Sequence, residues 1–151
     1  MVDYFHEIDG SGAVALNMPG GGSLHPATAE TVAAKMHYVH QDGAAVYKFA
    51  VRKMAEAAEL VLTRNGVKGS ELGCFIPHQA NKRIILSTAE RLGMPESAVI
   101  INIDRYGNTT AATIPLAMLR ASGRTAQTAA THGRLVRACH SWARSCQVHS
   151  C

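Results

Sequence analysis

The positions of apolar residues predict alternating strands and helices over most of the chain. Residues 2–9 predict a strand, and the apolar residues 73–77 and the β-branched run over residues 99–103 predict two buried strands. Three segments have the apolar period of an amphipathic helix: residues 43–65, 80–92 and 110–121. Strands that alternate with helices predict an α/β fold with a mostly parallel sheet.

Two segments lack a clear period. Residues 9–42 are rich in glycine, proline and small residues, so we expect a long excursion with one helical turn over residues 29–36. Beyond residue 122 we expect no stable element apart from a weak strand over residues 135–138. Pro115 lies inside the third predicted helix, where a proline kinks the helix or marks a tight junction.

Composition is that of a globular protein: 47% of the 151 residues are apolar. The sequence contains no apolar run of about 18 residues, the length that a membrane-spanning helix requires. Its start lacks the basic and apolar segments of a secretory signal. We therefore expect a cytoplasmic protein without a membrane partner.

Charge is distributed unevenly along the chain. All 11 acidic residues lie at or before Asp104, and the remainder contains arginines but neither acids nor lysines. This asymmetry suits a nucleic-acid-binding tail or a tail outside the folded domain. Because no aromatic-interleaved or helix-turn-helix pattern accompanies the arginines, we expect no nucleic-acid partner.

The cysteines predict no metal site. Cys74 lies in an apolar strand and is expected to act as a small buried hydrophobe. The other cysteines share the tail with three histidines, without the two-to-four-residue spacing of a zinc knuckle: Cys139, Cys146 and Cys151 with His132, His140 and His149. Disulfides are not expected in a cytosolic chain.

Two polar residues follow the buried strands. His78 ends the strand in FIPHQANKRII, and Asn108 follows the next strand in the turn DRYGN. Ligand groups collect at the carboxyl ends of strands in open α/β sheets. If these strands are neighbours, one imidazole N–H and one amide N–H converge on a single oxygen and form an oxyanion hole for an enolate. In this role His78 must be neutral and act as a donor.

Structural alternatives stay open for both residues. A histidine at a strand end is often a satisfied core residue, and Asn108 suits a turn or a helix N-cap. Nearby basic residues either bind a phosphate-bearing thioester carrier or an acidic protein, or form a solvated helix face: Lys48, Arg52, Lys53, Lys82 and Arg83.

The stretches FIPHQANKRII and NIDRYGNTTAATIPLAM together resemble the type III β-ketoacyl-acyl carrier protein synthases of the thiolase-like superfamily. The resemblance covers about residues 2–118 and corresponds to the carboxyl-terminal half of that enzyme. It implies an acyltransferase that initiates type II fatty-acid synthesis by condensing an acyl-CoA primer with malonyl-acyl carrier protein. It further implies acyl-CoA as a substrate, no permanently bound cofactor and a homodimer.

The same resemblance implies roles for particular residues. Those that match the catalytic histidine and asparagine, which stabilise the enolate, are His78 and Asn108. Those that match coenzyme A-binding positions are Gly43, Tyr47, Ala80, Asn81 and Arg83. Those expected to contact the carrier protein are Lys48, Lys82 and Arg83.

The chain departs from the family at the nucleophile. The family's acylated cysteine belongs to the amino-terminal half, which this sequence does not contain. Cys74 is a poor substitute, because it lies within a strand, away from a helix N-terminus or a cation that would lower its pKa. We therefore expect no condensation by this chain alone. The alternatives are a non-catalytic module that binds CoA or the carrier protein, and a half that needs a separate amino-terminal partner.

A second departure concerns the end of the chain. The family continues with two apolar strands and a glycine-rich motif, where this sequence has an arginine- and cysteine-containing tail. We predict a synthase-like domain over residues 1–120 and an irregular tail over residues 121–151 that resembles a shifted reading frame. The closing strands of the sheet are expected to be missing, which exposes a sheet edge.

Overall fold

The computed structural model describes residues 3–128, 134–140 and 143–149, with side chains described for residues 3–121. The strands are β1 (Asp3–Ile8), β2 (Leu16–Asn17), β3 (His40–Gln41), β4 (Leu72–Pro77), β5 (Arg134–His140) and β6 (Ala143–His149). The α-helices are α1 (Ala29–Ala33), α2 (Gly43–Arg64), α3 (Lys82–Arg91), α4 (Ile103–Tyr106) and α5 (Thr113–Thr128). The chain divides into two compact units, Asp9–Phe49 and the remainder.

The smaller unit is the predicted excursion. Its strands β2 and β3 pair antiparallel, and the single turn α1 lies within the predicted residues 29–36. A capping box starts this turn, because the side chains of Thr28 and Thr31 each accept a hydrogen bond from the other residue's backbone N–H. Gly20 is needed at a close approach, since a Cβ there would lie 2.9 Å from Cβ of Met36.

The larger unit contains a four-stranded sheet in the order β1-β6-β5-β4. Only β4 and β5 are parallel, and the other two pairs are antiparallel. The prediction of an α/β fold is confirmed, but the predicted mostly parallel sheet is wrong. The reason is that the closing strands β5 and β6 pair antiparallel with each other, and β1 pairs antiparallel with β6.

Hydrophobic burial follows the predicted faces. The helix α2 buries Ala50, Met54, Ala57 and Val61, which belong to its predicted apolar stripe. In β4, Phe75 and Ile76 are fully buried. One core cluster joins β4 to the following segments and to α5: Cys74, Ile76, Ile100, Ala117 and Ala121. This cluster fixes the carboxyl end of β4 against α5.

The predicted strand over residues 99–103 is wrong. Only one parallel bridge forms, between Phe75 and Val99, and the amide of Ile100 donates to the carbonyl of Phe75 at 2.9 Å. The amide of Asn102, two residues further along, donates to the side chain of Gln79 and not to a neighbouring strand. Pairing therefore stops and α4 begins at Ile103.

Two further expectations concern Pro115 and the end of the chain. Of the two predictions for Pro115, the tight junction is the one found: a 3₁₀ turn (Thr110–Ala112) meets α5 at Thr113, and Pro115 is the third residue of α5, where a helix needs no N–H partner. The predicted weak strand over residues 135–138 lies within β5, but the expectation that the closing strands are missing is wrong, because β5 and β6 both form. The edge of β4 is a template for pairing, and neither segment contains glycine or proline. A shifted reading frame remains a hypothesis.

Candidate active site

His78 follows directly after β4 and is half-buried. Its Nδ1 lies 2.5 Å from Oγ1 of Thr113, the first residue of α5, which is itself buried. The packing of β4 against α5 thus brings together two residues that are 35 positions apart in the sequence.

Burial lowers the pKa of His78 below its ordinary value of 6.5, because the buried environment disfavours the charged imidazolium. The imidazole is therefore neutral at pH 7. A neutral imidazole carries one N–H and one lone pair, so it can donate to an oxygen without carrying charge. This is the protonation state that the sequence analysis required.

The lowered pKa predicts a pH dependence of stability. Between the pKa of the folded state and about 6.5, the unfolded chain binds more protons at this position than the folded chain, so the free energy of unfolding falls as pH falls through that interval. An NMR titration should give a midpoint below 6.5 for His78. Urea unfolding at pH 7.5 and 5.5 should show a smaller loss of stability for His78→Gln than for the wild type. A midpoint at or above 6.5 would contradict the expected desolvation.

Gln79 is fully buried and joins β4 to the segment after Val99. Its Nε2 donates to the carbonyls of Pro77 at 2.9 Å and Ile100 at 3.0 Å. Its Oε1 accepts from the amide of Asn102 at 2.9 Å. These hydrogen bonds fix the backbone on both sides of His78 relative to the segment that leads to Asn108. Sequence reasoning missed this role, although a glutamine between two buried segments was an available signal.

Asn108 lies in the exposed turn between α4 and α5. Gly107 precedes it at a φ of 64°, which glycine adopts without strain. The side-chain Oδ1 accepts from the amide of Thr110 at 3.0 Å. That bond orients the carboxamide, and within the part of the chain whose side chains are described, its Nδ2 has no protein acceptor.

A hydrogen-bonded path connects the two candidate catalytic residues. It runs from His78 to Oγ1 of Thr113, which donates to the carbonyl of Thr110 at 3.0 Å. The amide of Thr110 in turn donates to Asn108. The structure thus ties both residues to the start of α5. That their donors aim at one point stays a prediction.

The residues after His78 begin α3. Asn81 is the N-cap, and its Oδ1 accepts from the amide of Arg83 at 2.9 Å, which gives it a structural role. Ala80, Lys82 and Arg83 are exposed on the same short stretch. They are accessible to a ligand or a partner, as the proposed contacts with coenzyme A and the carrier protein require.

Three further predicted contact residues lie in the other unit. Gly43, Tyr47 and Lys48 occupy the first two turns of α2. Tyr47 is half-buried, and the other two are exposed. Their proposed roles as coenzyme A and carrier-protein contacts stay predictions.

The described residues offer little other chemistry. Cys74 is buried in the core cluster. No group of three potential metal ligands occurs where side chains are described, whereas His132 and Cys151 lie outside the described residues. None of the helices in the described ranges is long and apolar enough to cross a bilayer.

A family model matches the part of the chain that contains both His78 and Asn108. It represents the carboxyl-terminal part of 3-oxoacyl-[acyl-carrier-protein (ACP)] synthase III and matches residues 62–136. The match continues past residue 120, where the sequence analysis placed a domain boundary.

Curated relatives and solved structures carry similar names. The β-ketoacyl-[acyl-carrier-protein] synthase III of Koribacter versatilis is 58% identical over 135 residues, which are 89% of this chain and 38% of the relative. That of Solibacter usitatus is 56% identical over 116 residues, 77% of this chain and 35% of the relative. The crystal structure of the synthase III from Thermus thermophilus has a TM-score of 0.77 and 31% identity, and covers 99% of this chain and 46% of its own. The chain thus spans less than half the length of these relatives.

Proposed function

This chain is related to the carboxyl-terminal part of β-ketoacyl-[acyl-carrier-protein] synthase III in the thiolase-like superfamily, and we propose that it supplies the enolate-stabilising residues of a decarboxylative condensation. The observation that carries this proposal is the path of hydrogen bonds from the neutral His78 through Thr113 and Thr110 to Asn108. It ties a potential imidazole donor and a potential amide donor to the same short segment, Thr110–Thr113.

The proposed chemistry is loss of CO₂ from a malonyl thioester. The bond between the carboxylate and Cα breaks, and its electron pair moves through Cα to the thioester oxygen, which becomes an enolate oxygen. Nε2–H of His78 and Nδ2–H of Asn108 donate to this oxygen. Such donors accelerate a reaction because they bind the developing negative charge more strongly than the neutral carbonyl.

The enolate would then attack an acylated cysteine. Cys74 does not suit this role, because it is buried in the core and lies four residues before His78 along the chain, roughly 13 Å for an extended strand. We propose that the nucleophile comes from the region of the family that this chain does not match. By itself the chain then decarboxylates malonyl thioesters weakly and does not condense them with acyl-CoA.

The proposed substrates are acyl-CoA and malonyl-acyl carrier protein, the two molecules that the family condenses in the cytoplasm. The exposed cations Lys48, Lys82 and Arg83 suit the phosphates of coenzyme A and the acidic surface of a carrier protein. We further propose that the assembled synthase is a homodimer. Acyl-CoA acts as a substrate and not as a resident cofactor.

An assay of two reactions tests this proposal. The purified chain is incubated with malonyl-CoA, and release of acetyl-CoA is measured by chromatography. In a second reaction, acetyl-CoA and malonyl-acyl carrier protein are supplied and condensation is followed by mass spectrometry. We expect slow decarboxylation and no condensation. A ketoacyl product attached through Cys74 would overturn the assignment of the nucleophile, and absence of decarboxylation would remove the support for an oxyanion hole.

An alternative is a half that works only with a separately encoded amino-terminal partner. Several large apolar side chains of the smaller unit are exposed and would be available to such a partner: Val14, Leu24, Val32, Tyr38 and Val39. Co-expression with the amino-terminal half of a related synthase, followed by the condensation assay, distinguishes this half from a non-catalytic binding module. Recovery of condensation supports the assembled half, and its absence supports a binding module.

A further inference from the structure

Thr113 contacts the imidazole that the proposed function uses, and its hydroxyl has two neighbours. Its Oγ1 lies 2.5 Å from Nδ1 of His78 and 3.0 Å from the carbonyl oxygen of Thr110. Thr113 is 2% exposed, so water does not readily replace either contact. The number of hydrogens available decides which contacts are hydrogen bonds.

A hydroxyl has one hydrogen to donate, and a carbonyl oxygen can only accept. When the Thr113 hydroxyl donates to Thr110, the short contact with His78 is a hydrogen bond only if Nδ1 carries a hydrogen. Since the imidazole is neutral, Nε2 then has a lone pair and no hydrogen. This arrangement satisfies both contacts of Oγ1.

The opposite tautomer makes one hydrogen bond fewer in the chain without a ligand. With the hydrogen on Nε2, Nδ1 must accept the Thr113 hydroxyl, which then releases the Thr110 carbonyl. Among the protein groups whose side chains are described, that carbonyl then keeps the backbone amide of Thr113 as its partner. One hydrogen bond of typical net strength corresponds to roughly a fivefold to tenfold population ratio. The difference favours a hydrogen on Nδ1.

Thr110 is held firmly as the acceptor. Its φ of 51° is unusual for a β-branched residue, which keeps such a conformation only when its surroundings fix it. Its amide is bound by Asn108, and its carbonyl accepts the backbone amide of Thr113. The carbonyl is therefore positioned for the Thr113 hydroxyl before any substrate arrives.

We propose that Thr113 is a positioning residue that holds His78 with its hydrogen on Nδ1 in the free chain, and that an acceptor oxygen bound at Nε2 shifts the hydrogen to Nε2. One proton leaves Nδ1 to solvent and another enters at Nε2 from solvent, so the net charge is unchanged. The Thr113 hydroxyl rotates from Thr110 to Nδ1 as this happens. The second clause rests on the proposed function, and the first does not.

The free-chain tautomer is measured by long-range ¹H–¹⁵N NMR of the full chain with ¹⁵N-labelled histidine, and His78→Ala assigns the resonances. We expect a protonated-type shift at Nδ1 and a lone-pair-type shift at Nε2, in the wild type and in Thr113→Ser. Thr113→Val removes the acceptor and should raise the Nε2–H population severalfold. A wild-type spectrum with the hydrogen on Nε2 overturns the inference without any variant.

Thr88→Val is the matched control. Thr88 is also buried on a helix and donates its hydroxyl to a backbone carbonyl, that of Ile84 at 2.8 Å, whereas the imidazole of His78 is hydrogen-bonded by Thr113. Its replacement should leave the His78 tautomer unchanged. A change equal to that in Thr113→Val would show that general loosening of the fold, and not the Thr113 hydroxyl, sets the tautomer.

Acetyl-CoA is the probe for the ligand-linked shift. We expect it to move His78 toward Nε2–H. If other resonances report binding while the His78 tautomer does not change, the ligand-linked shift is overturned. If acetyl-CoA perturbs no resonance, the result counts against the proposed function, whereas the free-chain tautomer still stands on its own spectrum.

Discussion

Replacement of His78 by alanine is expected to lower the decarboxylation rate of malonyl-CoA by about 10²–10³-fold, the usual effect of removing one donor from an oxyanion hole. The alanine cannot donate to the developing enolate oxygen, while Asn108 and the substrate contacts remain. The effect should fall on kcat more than on KM, because the lost interaction is strongest in the transition state. Initial rates over a range of malonyl-CoA concentrations provide this measurement.

His6→Ala is the matched control for that experiment. His6 is exposed on β1, and its replacement should leave the rate unchanged. Thermal unfolding of both variants separates a catalytic loss from a folding loss. If a folded His78→Ala chain retained the wild-type rate, His78 would be a structural residue at a strand end, the alternative that its sequence position left open.

Replacement of Gln79 by leucine is expected to destabilise the fold by about 3 kcal/mol or more. The leucine removes hydrogen bonds from the carbonyls of Pro77 and Ile100 and from the amide of Asn102. Each buried backbone group left without a partner costs about 1–3 kcal/mol, and a leucine of similar volume offers no replacement. Urea unfolding, with the midpoint and slope fitted together, measures the change.

Gln41→Leu is the matched control, because Gln41 is exposed on β3 and its replacement should stay within about 0.5 kcal/mol of the wild type. Gln79→Glu tests the mechanism further. An ionised carboxylate still accepts from the Asn102 amide but cannot donate to either carbonyl, so this variant should also be unstable. If both Gln79 variants matched the wild type, the three hydrogen bonds would not determine the fold.

Periodicity predicted those parts of the fold in which burial decides the structure. The apolar stripe of α2 and the apolar run of β4 both appear in the sequence as regular patterns. The end of β4 then placed His78 at a strand terminus, and the glycine-asparagine pair placed Asn108 in a turn. Both placements needed only local information.

Features that depend on distant partners were not predictable in this way. The segment after Val99 is as apolar as a strand, but the Gln79 side chain takes the amide that a strand would have used. The sequence indicated only that Thr113 belongs to a helix, whereas packing places it against the imidazole of His78, 35 positions away. The sequence of β5, RLVRACH, lacks a regular alternation of apolar and polar residues, so the pairing of β5 with β4 and of β6 with β1 was not visible in the pattern. The pattern of apolar residues indicates which positions are buried, but it does not indicate which atoms of distant residues they contact.

The position of β1 in the sheet has a consequence for biosynthesis. It pairs with β6, and the partners are far apart in the chain: Ile8 with Ala143 and Asp3 with Val148. A nascent chain on the ribosome therefore displays β1 long before its neighbour has been translated, and contacts of such long sequence separation form slowly. During that interval the strand is open to capture by chaperones or by other nascent chains. A shorter interval between translation of β1 and of β6 should therefore improve the yield of correctly assembled protein.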